Sequence, residues 1–350
     1  MAIIDKSSDY FNTKLYSGNG GTNAQTGVNF QPDFTWIKAR SNAENHNLFD
    51  SVRGVTKRIR SNGSEAEDTR TTSLTAFGTD GFTLGSGSQV NTNGWTFASW
   101  NWKAGTSFTN DASSTGIGTI DSAGSFNNDS GFSIVTYTGT GSNGTIKHGL
   151  STAPKMVIVK SLGESESWNC YNANLTSPAY VVQLSTEGAQ FSNGSTWNST
   201  APTSSVFSVG TDAGTNKNSI NFIAYCFADV QGFSKMGLYV GNGNADGPFV
   251  YTGLKPAFVM TKKTSGTSQW VMFDNKRSPI NYVQRRLQAN NNAAENTDDN
   301  QDFDILSNGF KSRRAAGDWN SDGDTFIYMA FAENPFVTST GNGSIPSPAR

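Results

Sequence analysis

Apolar residues in this chain come in short runs, mostly alternating with polar ones and cut every few residues by glycine or asparagine. No segment holds a 3.6-residue period for more than two turns, so the pattern predicts strands joined by polar turns. One strand shows the logic best. Ile223, Tyr225 and Phe227 alternate with Phe222, Ala224 and Cys226, and the same apolar positions recur as Ala98, Trp100, Trp102 and as Ile327, Met329, Phe331. Alternate residues of a strand face opposite ways, so these sets mark a core face. Near-continuous apolarity on both sides marks a central strand.

That recurrence extends over whole segments. Three stretches open alike, FNTKLYSGNG from Phe11, FSIVTYTGTG from Phe132 and FSKMGLYVGNG from Phe233. Each then reaches an apolar strand between a proline and a lysine six residues on: Pro32 to Lys38, Pro154 to Lys160, Pro256 to Lys262. Eight residues after each lysine stands His46, Trp168 or Trp270, followed by Asp50, Asn172 or Asp274 at the end of that run. IRSNGSEAE from Ile59 and LQANNNAAE from Leu287 match closely, with LSTEGAQ from Leu184 as the weaker third copy. Asn91, Asn216 and Asn320 each stand six residues before a phenylalanine of the closing strand. These offsets predict an all-β chain of three tandem β-sandwich repeats of jelly-roll or concanavalin-like cast. The boundaries follow as an N-terminal arm 1–9, repeats at 10–104, 131–229 and 232–336, a Gly/Ser/Thr/Asn linker at 105–130 and a tail at 337–350.

Composition narrows the function classes. Charged residues are 15% of the 350, aromatics 12%, and the formal net charge is −2. A chain so weakly charged has no field to gather nucleic acid or anionic membrane. No apolar run reaches the length of a membrane span, and the N-terminus lacks the cationic and apolar regions of a secretory signal. Synthesis in the cytoplasm of a host cell is expected. Cys170 and Cys226 are the only cysteines and His46 and His148 the only histidines, too few for a disulfide framework or a nitrogen–sulfur metal site.

Candidate chemistry is thin. GTGSNG at 139–144 has dinucleotide-fingerprint spacing but no helix pattern after it, which reads as a turn. Asp318, Asn320 and Asp322 resemble half of a calcium loop, yet Met329 stands where the bidentate glutamate belongs. Asp50 and Asp274 could suggest paired carboxylates, but Asn172 holds that place in the second repeat, so a strand-end hydrogen bond is the preferred reading. His46 reads as filling an aromatic slot. Trp95, Trp197 and Trp319, at or near loops, are the candidates for stacking on a glycan, with buried packing the preferred reading of each. No catalytic residue and no cofactor is expected.

FQPDFTWIKARSNAENHNLFDSVRG, PTSSVFSVGT, FIAYCFADVQGFSKMG, DGPFVYTGLKPAFVM and YMAFAENPFVTSTG, with neighbouring motifs over nearly the whole chain, resemble a repeat family from tailed bacteriophages of marine bacteria. The resemblance implies a non-enzymatic virion protein with a concanavalin-like sandwich, a head decoration or a short tail appendage or fibre. Its partners would be other virion proteins, and it would sit on the particle as a homo-oligomer, a trimer being favoured. A lectin-like adhesin that binds host-surface glycan is the alternative.

Overall fold

The computed structural model describes residues 4–298 and 302–335; the tail at 337–350 lies outside the described residues. The chain is all-β, with antiparallel sheets joined by short loops and single helical turns. The same four-strand order occurs three times. An opening strand (Phe11–Ser17, Phe132–Thr138 or Ser234–Val240) pairs with a closing strand (Thr96–Trp102, Asn221–Phe227 or Thr325–Pro335). The closing strand then pairs with a proline strand (Phe34–Ala39, Met156–Ser161 or Leu254–Lys263), which pairs with a fourth (Asn47–Asp50, Asn169–Asn172 or Trp270–Asp274). Pro32 and Pro154 lie two residues ahead of their strands. Pro256 falls inside its longer strand, and the register with the closing strand shifts there, as a residue without an N–H requires.

A smaller sheet covers one face of each main sheet: Asn23–Thr26 with Gly81–Leu84 and Leu74–Gly78, Gly144–Lys147 with Val206–Val209, and Phe249–Tyr251 with Gly309–Ser312 and Phe303–Leu306. Between the two layers of each sandwich lies a separate core, holding for example Tyr16 stacked on Phe97, Tyr137 on Phe222, and Tyr239 on Phe326.

The other faces of the three main sheets meet each other. Trp100 and Trp102, Tyr225 and Phe227, and Met329 and Phe331 belong to one cluster with Phe11, Phe34, Trp168, Phe258 and Trp270. The alternating set read as each sandwich's core face is therefore the face shared among sandwiches, while Phe222, Ala224 and Cys226 fill the sandwich's own interior. Both faces of the closing strand are buried, which is why its sequence is nearly continuously apolar. Ile4 of the N-terminal arm is buried in this common core too.

The expected linker at 105–130 is not one. Thr106–Asn110 and Ser122–Asn127 form a two-stranded ribbon, turned by a short helix, Ala112–Thr115, that Asp111 caps. Ser122–Asn127 continues the second main sheet by pairing along Phe132–Thr138. Phe108 and Phe126 pack together at 5.9 Å and against the second sandwich's core. Polar composition hid the ribbon, because an outer strand with one solvated face carries few apolar residues.

Candidate functional site

Where the three sandwiches meet, equivalent residues make equivalent contacts in a cycle. Strand pairing aligns Ile59, Val182 and Leu287, opposite Leu48, Cys170 and Met272. The second copy of that segment thus begins at Val182, two residues before the position read from sequence. In this register, Trp168 Nε1 donates to the Arg60 carbonyl (2.7 Å) and Trp270 Nε1 to the Gln183 carbonyl (2.9 Å). His46 Nε2 lies 2.9 Å from the Gln288 carbonyl. Each ring belongs to one sandwich and each carbonyl to the preceding one, the last closing on the first. A backbone bond follows the cycle as well: Glu67 N to Leu162 O, Gln190 N to Thr264 O, Glu295 N to Arg40 O. Contacts of this head-to-tail kind close a three-membered ring.

His46 fills the slot that sequence assigned it. Trp36 Nε1, a donor only, points at His46 Nδ1 (2.7 Å), so Nε2 must carry the proton that Gln288 accepts. Burial drives its pKa well below the ordinary value and keeps the ring neutral. Trp36 occupies the place of Ile158 and Met260, so the first sandwich puts its indole on the proline strand and the smaller ring on the fourth. Lys38, Lys160 and Lys262 are buried at equivalent positions, and each Nζ donates to backbone carbonyls at 2.6–2.8 Å, at the strand end for Lys38 and Lys160 and in loops for Lys262. Burial lowers each to about 8.

Two of the three junctions hold a buried ionic cluster. Asp50 accepts from the backbone N–H of Val52 and Arg53, from Arg53 Nε and from the Tyr225 hydroxyl of the next sandwich (2.7 Å). Arg53 also reaches Glu67 (3.1 Å). Asp274 repeats this with Lys276, Arg277 and Trp100 Nε1 of the first sandwich (3.1 Å), while Arg277 reaches Glu295 (3.2 Å). Glu295 in turn takes a bidentate bond from Arg40. At the remaining junction the equivalent positions are Asn172, Leu175 and Gln190, and Met329 replaces the Tyr225 or Trp100 donor. Asn172 Oδ1 still accepts from the Asn174 N–H. These carboxylates therefore end strands and lock sandwiches together; the two aspartates do not face one another as an acid–base pair.

The other sequence candidates fall elsewhere. Trp197 and Trp319 are buried, at 1% and 2% exposure, in the second and third sandwich cores, edge-on to Tyr171 and Phe273. Trp95 is half-buried against the first core. The two buried indoles offer no face to a sugar, because they pack as core residues beneath their loops. In the aspartate loop, Asn320 is consumed by structure: its amide donates to the Asn244 and Arg314 carbonyls and its oxygen accepts from Asn242 N. Asn91 and Asn216 do the same in their own sandwiches. Asp318 accepts from Ser268 and from the Gln269 N–H. Among the described residues no three His, Cys, Asp and Glu side chains gather as a metal would need. In GTGSNG, Gly139 passes so close to the hairpin that a Cβ would lie 2.3 Å from the Lys217 carbonyl, and Gly141 has φ +71°. It is a turn tied to Asn216.

One concavity was invisible in the sequence, because it exists only once the ribbon docks. A groove of about 430 Å³ runs across the ends of the ribbon and the adjoining strands of the second main sheet, lined by Thr109, Asp111, Asp121, Thr136, Thr138 and Asn221. Its carboxylates and hydroxyls are polar hydrogen-bonding groups spaced along a trough.

A family model, Domain of unknown function (DUF7483), matches residues 6–335. The chain belongs to the DUF7483 family. No curated protein and no solved structure matches it. The DUF7483 match takes in all three sandwiches together, and the common core gives a physical reason: none of the main sheets buries its inner face without the other two.

Proposed function

We propose that this DUF7483 chain is a non-enzymatic structural protein of the bacteriophage particle surface, acting as a single-chain, three-lobed block. The observation that carries the reading is the closed ring of three equivalent sandwiches around one core. Shell decorations and tail appendages follow the symmetry of their attachment site, and a monomer with internal three-fold character meets a three-fold site without needing two further copies. The sequence resemblance to virion proteins of tailed phages supports the same reading. Localising the protein in a reconstruction of the intact particle tests it. One copy centred on a local three-fold, or three lobes around a tail axis, is expected. Absence of the protein from purified particles defeats the proposal.

The groove beside the ribbon favours glycan binding as a second reading, in place of the tryptophans. Threonine, asparagine and aspartate at its walls suit the hydroxyls of a saccharide. A glycan array probed with the intact protein and with Asp121→Ala/Thr136→Ala is the check. Binding that the variant keeps would rule out the groove.

A further inference from the structure

The three sandwiches differ most along one flank, where the opening strand and the first strand of the smaller sheet both present an edge. In the second sandwich the ribbon closes this flank: Ser122–Asn127 pairs with the opening strand, and Thr119 and Ile120 bond to Thr145 of the smaller sheet. In the first, the flank is open but polar. Ser17 is exposed, its carbonyl takes a bond from Asn23, and the smaller sheet's edge reads NAQT. In the third it is open and apolar. Leu238 is 43% exposed, Val240 52%, Phe249 47% and Tyr251 61%. Six of the seven large apolar side chains that stand exposed among the described residues lie in this sandwich.

The edge backbone is unpaired at the same place. Gly241 N bonds inward to the Asp324 carbonyl, just ahead of the closing strand, and Met236 N points outward to Asp229. Alternation therefore turns the N–H and C=O of Leu238 and Val240 outward. An apolar edge with free backbone groups is a template for another strand. Among the described residues no segment pairs with it: the second sandwich's closing strand ends at Phe227 and the third's opening strand begins at Ser234.

We infer that this flank is a self-association surface, and that a second copy of the chain occupies it by antiparallel pairing of the Leu238–Val240 end of the opening strand with its own counterpart. A two-fold axis at Tyr239 sets Leu238 opposite the second copy's Val240 and Val240 opposite its Leu238. Both outward-facing residues then exchange hydrogen bonds, and apolar side chains meet apolar ones. The second sandwich supplies the precedent, since there the equivalent edge is already closed by an antiparallel strand. The inference stands whether or not the protein sits on a virion; if it does, the contact would link neighbouring copies on the particle.

Sedimentation of the intact protein over a hundredfold concentration range tests this. A concentration-dependent mass of twice 37.5 kDa is expected, with Leu238→Lys/Val240→Lys at least tenfold weaker in association at an unchanged melting temperature. Register is read separately by mixing Leu238→Cys and Val240→Cys proteins under oxidation. The mixture should form a disulfide-linked dimer and neither protein alone, because the native cysteines are buried. A monomer at every concentration, a trimer, or a dimer that survives the lysine variant each overturns the inference. So does preferential cross-linking of either cysteine variant with itself.

Discussion

The junction of the first and third sandwiches and that of the second and third are built on the same backbone plan with opposite chemistry. At the former, Asp274, Arg277 and Glu295 form a buried ionic cluster that Arg40 and Trp100 complete from the neighbouring sandwich. At the latter, Asn172, Leu175 and Gln190 stand in those places, and Met329 replaces the donor. Three charged positions are neutral here, and the neutral hydrogen-bond donor is replaced by a thioether. Buried charges are costly to desolvate and repay it only when every partner is present, so removing one is worse than removing all. Nature's neutral version within the same molecule shows which isosteres the plan accepts.

Breaking the comparison halfway should therefore have the largest effect. Arg277→Leu alone leaves Asp274 buried without its counter-ion and Glu295 with Arg40 alone, and should cost about 3–5 kcal/mol in denaturant unfolding. The triple variant Asp274→Asn/Arg277→Leu/Glu295→Gln copies the other junction and should recover at least half of that loss. A triple variant as unstable as the single one would show that the charges themselves, not their balance, hold this junction.

Acid should expose the next difference. Burial lowers His148 to about 4, and His46 well below its usual value. A histidine with a depressed folded pKa leaves stability intact above about 6.5, where both states are neutral, and costs stability as pH falls toward 4, because only the unfolded chain binds the proton. His148 alone should account for about 2–3 kcal/mol by pH 4. For His46, Trp36→Ile/His46→Trp transplants the second sandwich's arrangement. Unfolding curves at pH 7 and pH 4.5 should lie closer together in this variant than in the parent.

A smaller effect isolates one cross-junction bond. Trp100→Phe keeps most of the packing and removes the donor to Asp274, which should cost about 1–3 kcal/mol. The cation–π contact with Arg277, 5.5 Å from the Trp100 ring, would weaken too. The smallest effect belongs to the aspartate loop at 318–324. A chelator should leave the melting midpoint where it was, because Asn320 and Asp318 already bond within the protein; a fall of several degrees would restore the loop as a metal site.

How much of this was legible in the sequence depends on whether a signal was periodic or relational. The strands and their recurrence in three units followed from alternation and from the proline–lysine spacing, though not their order in the sheet, and His46 was placed by its alignment with Trp168 and Trp270. The inward face of Trp100, Tyr225 and Met329 was visible, but not what it faces. Nothing local says that Tyr225 bonds Asp50, 175 residues away. The gap of two residues at Val182 hid the match of Gln190 with Glu67 and Glu295, and with it the concerted loss of charge. Trp197 and Trp319 drew a glycan reading only from the turn residues near them; the preferred reading, buried packing, is what each indole does beneath its loop. The ribbon at 106–127 escaped for the opposite reason: its composition is that of a linker, and only pairing with Phe132–Thr138 makes it a sheet.

The common core also sets a timetable for synthesis. Phe11 stacks on Phe331 at 5.1 Å, so one of the first aromatic residues to leave the ribosome must wait for one of the last. At about 5–20 residues per second the interval is roughly 15–60 s. Throughout it, the first two main sheets hold their aromatic faces open to water or to whatever chaperone reaches them. A ribosome that stops near residue 230 would release two sandwiches with no third to cover them, a product destined for aggregation rather than for partial use.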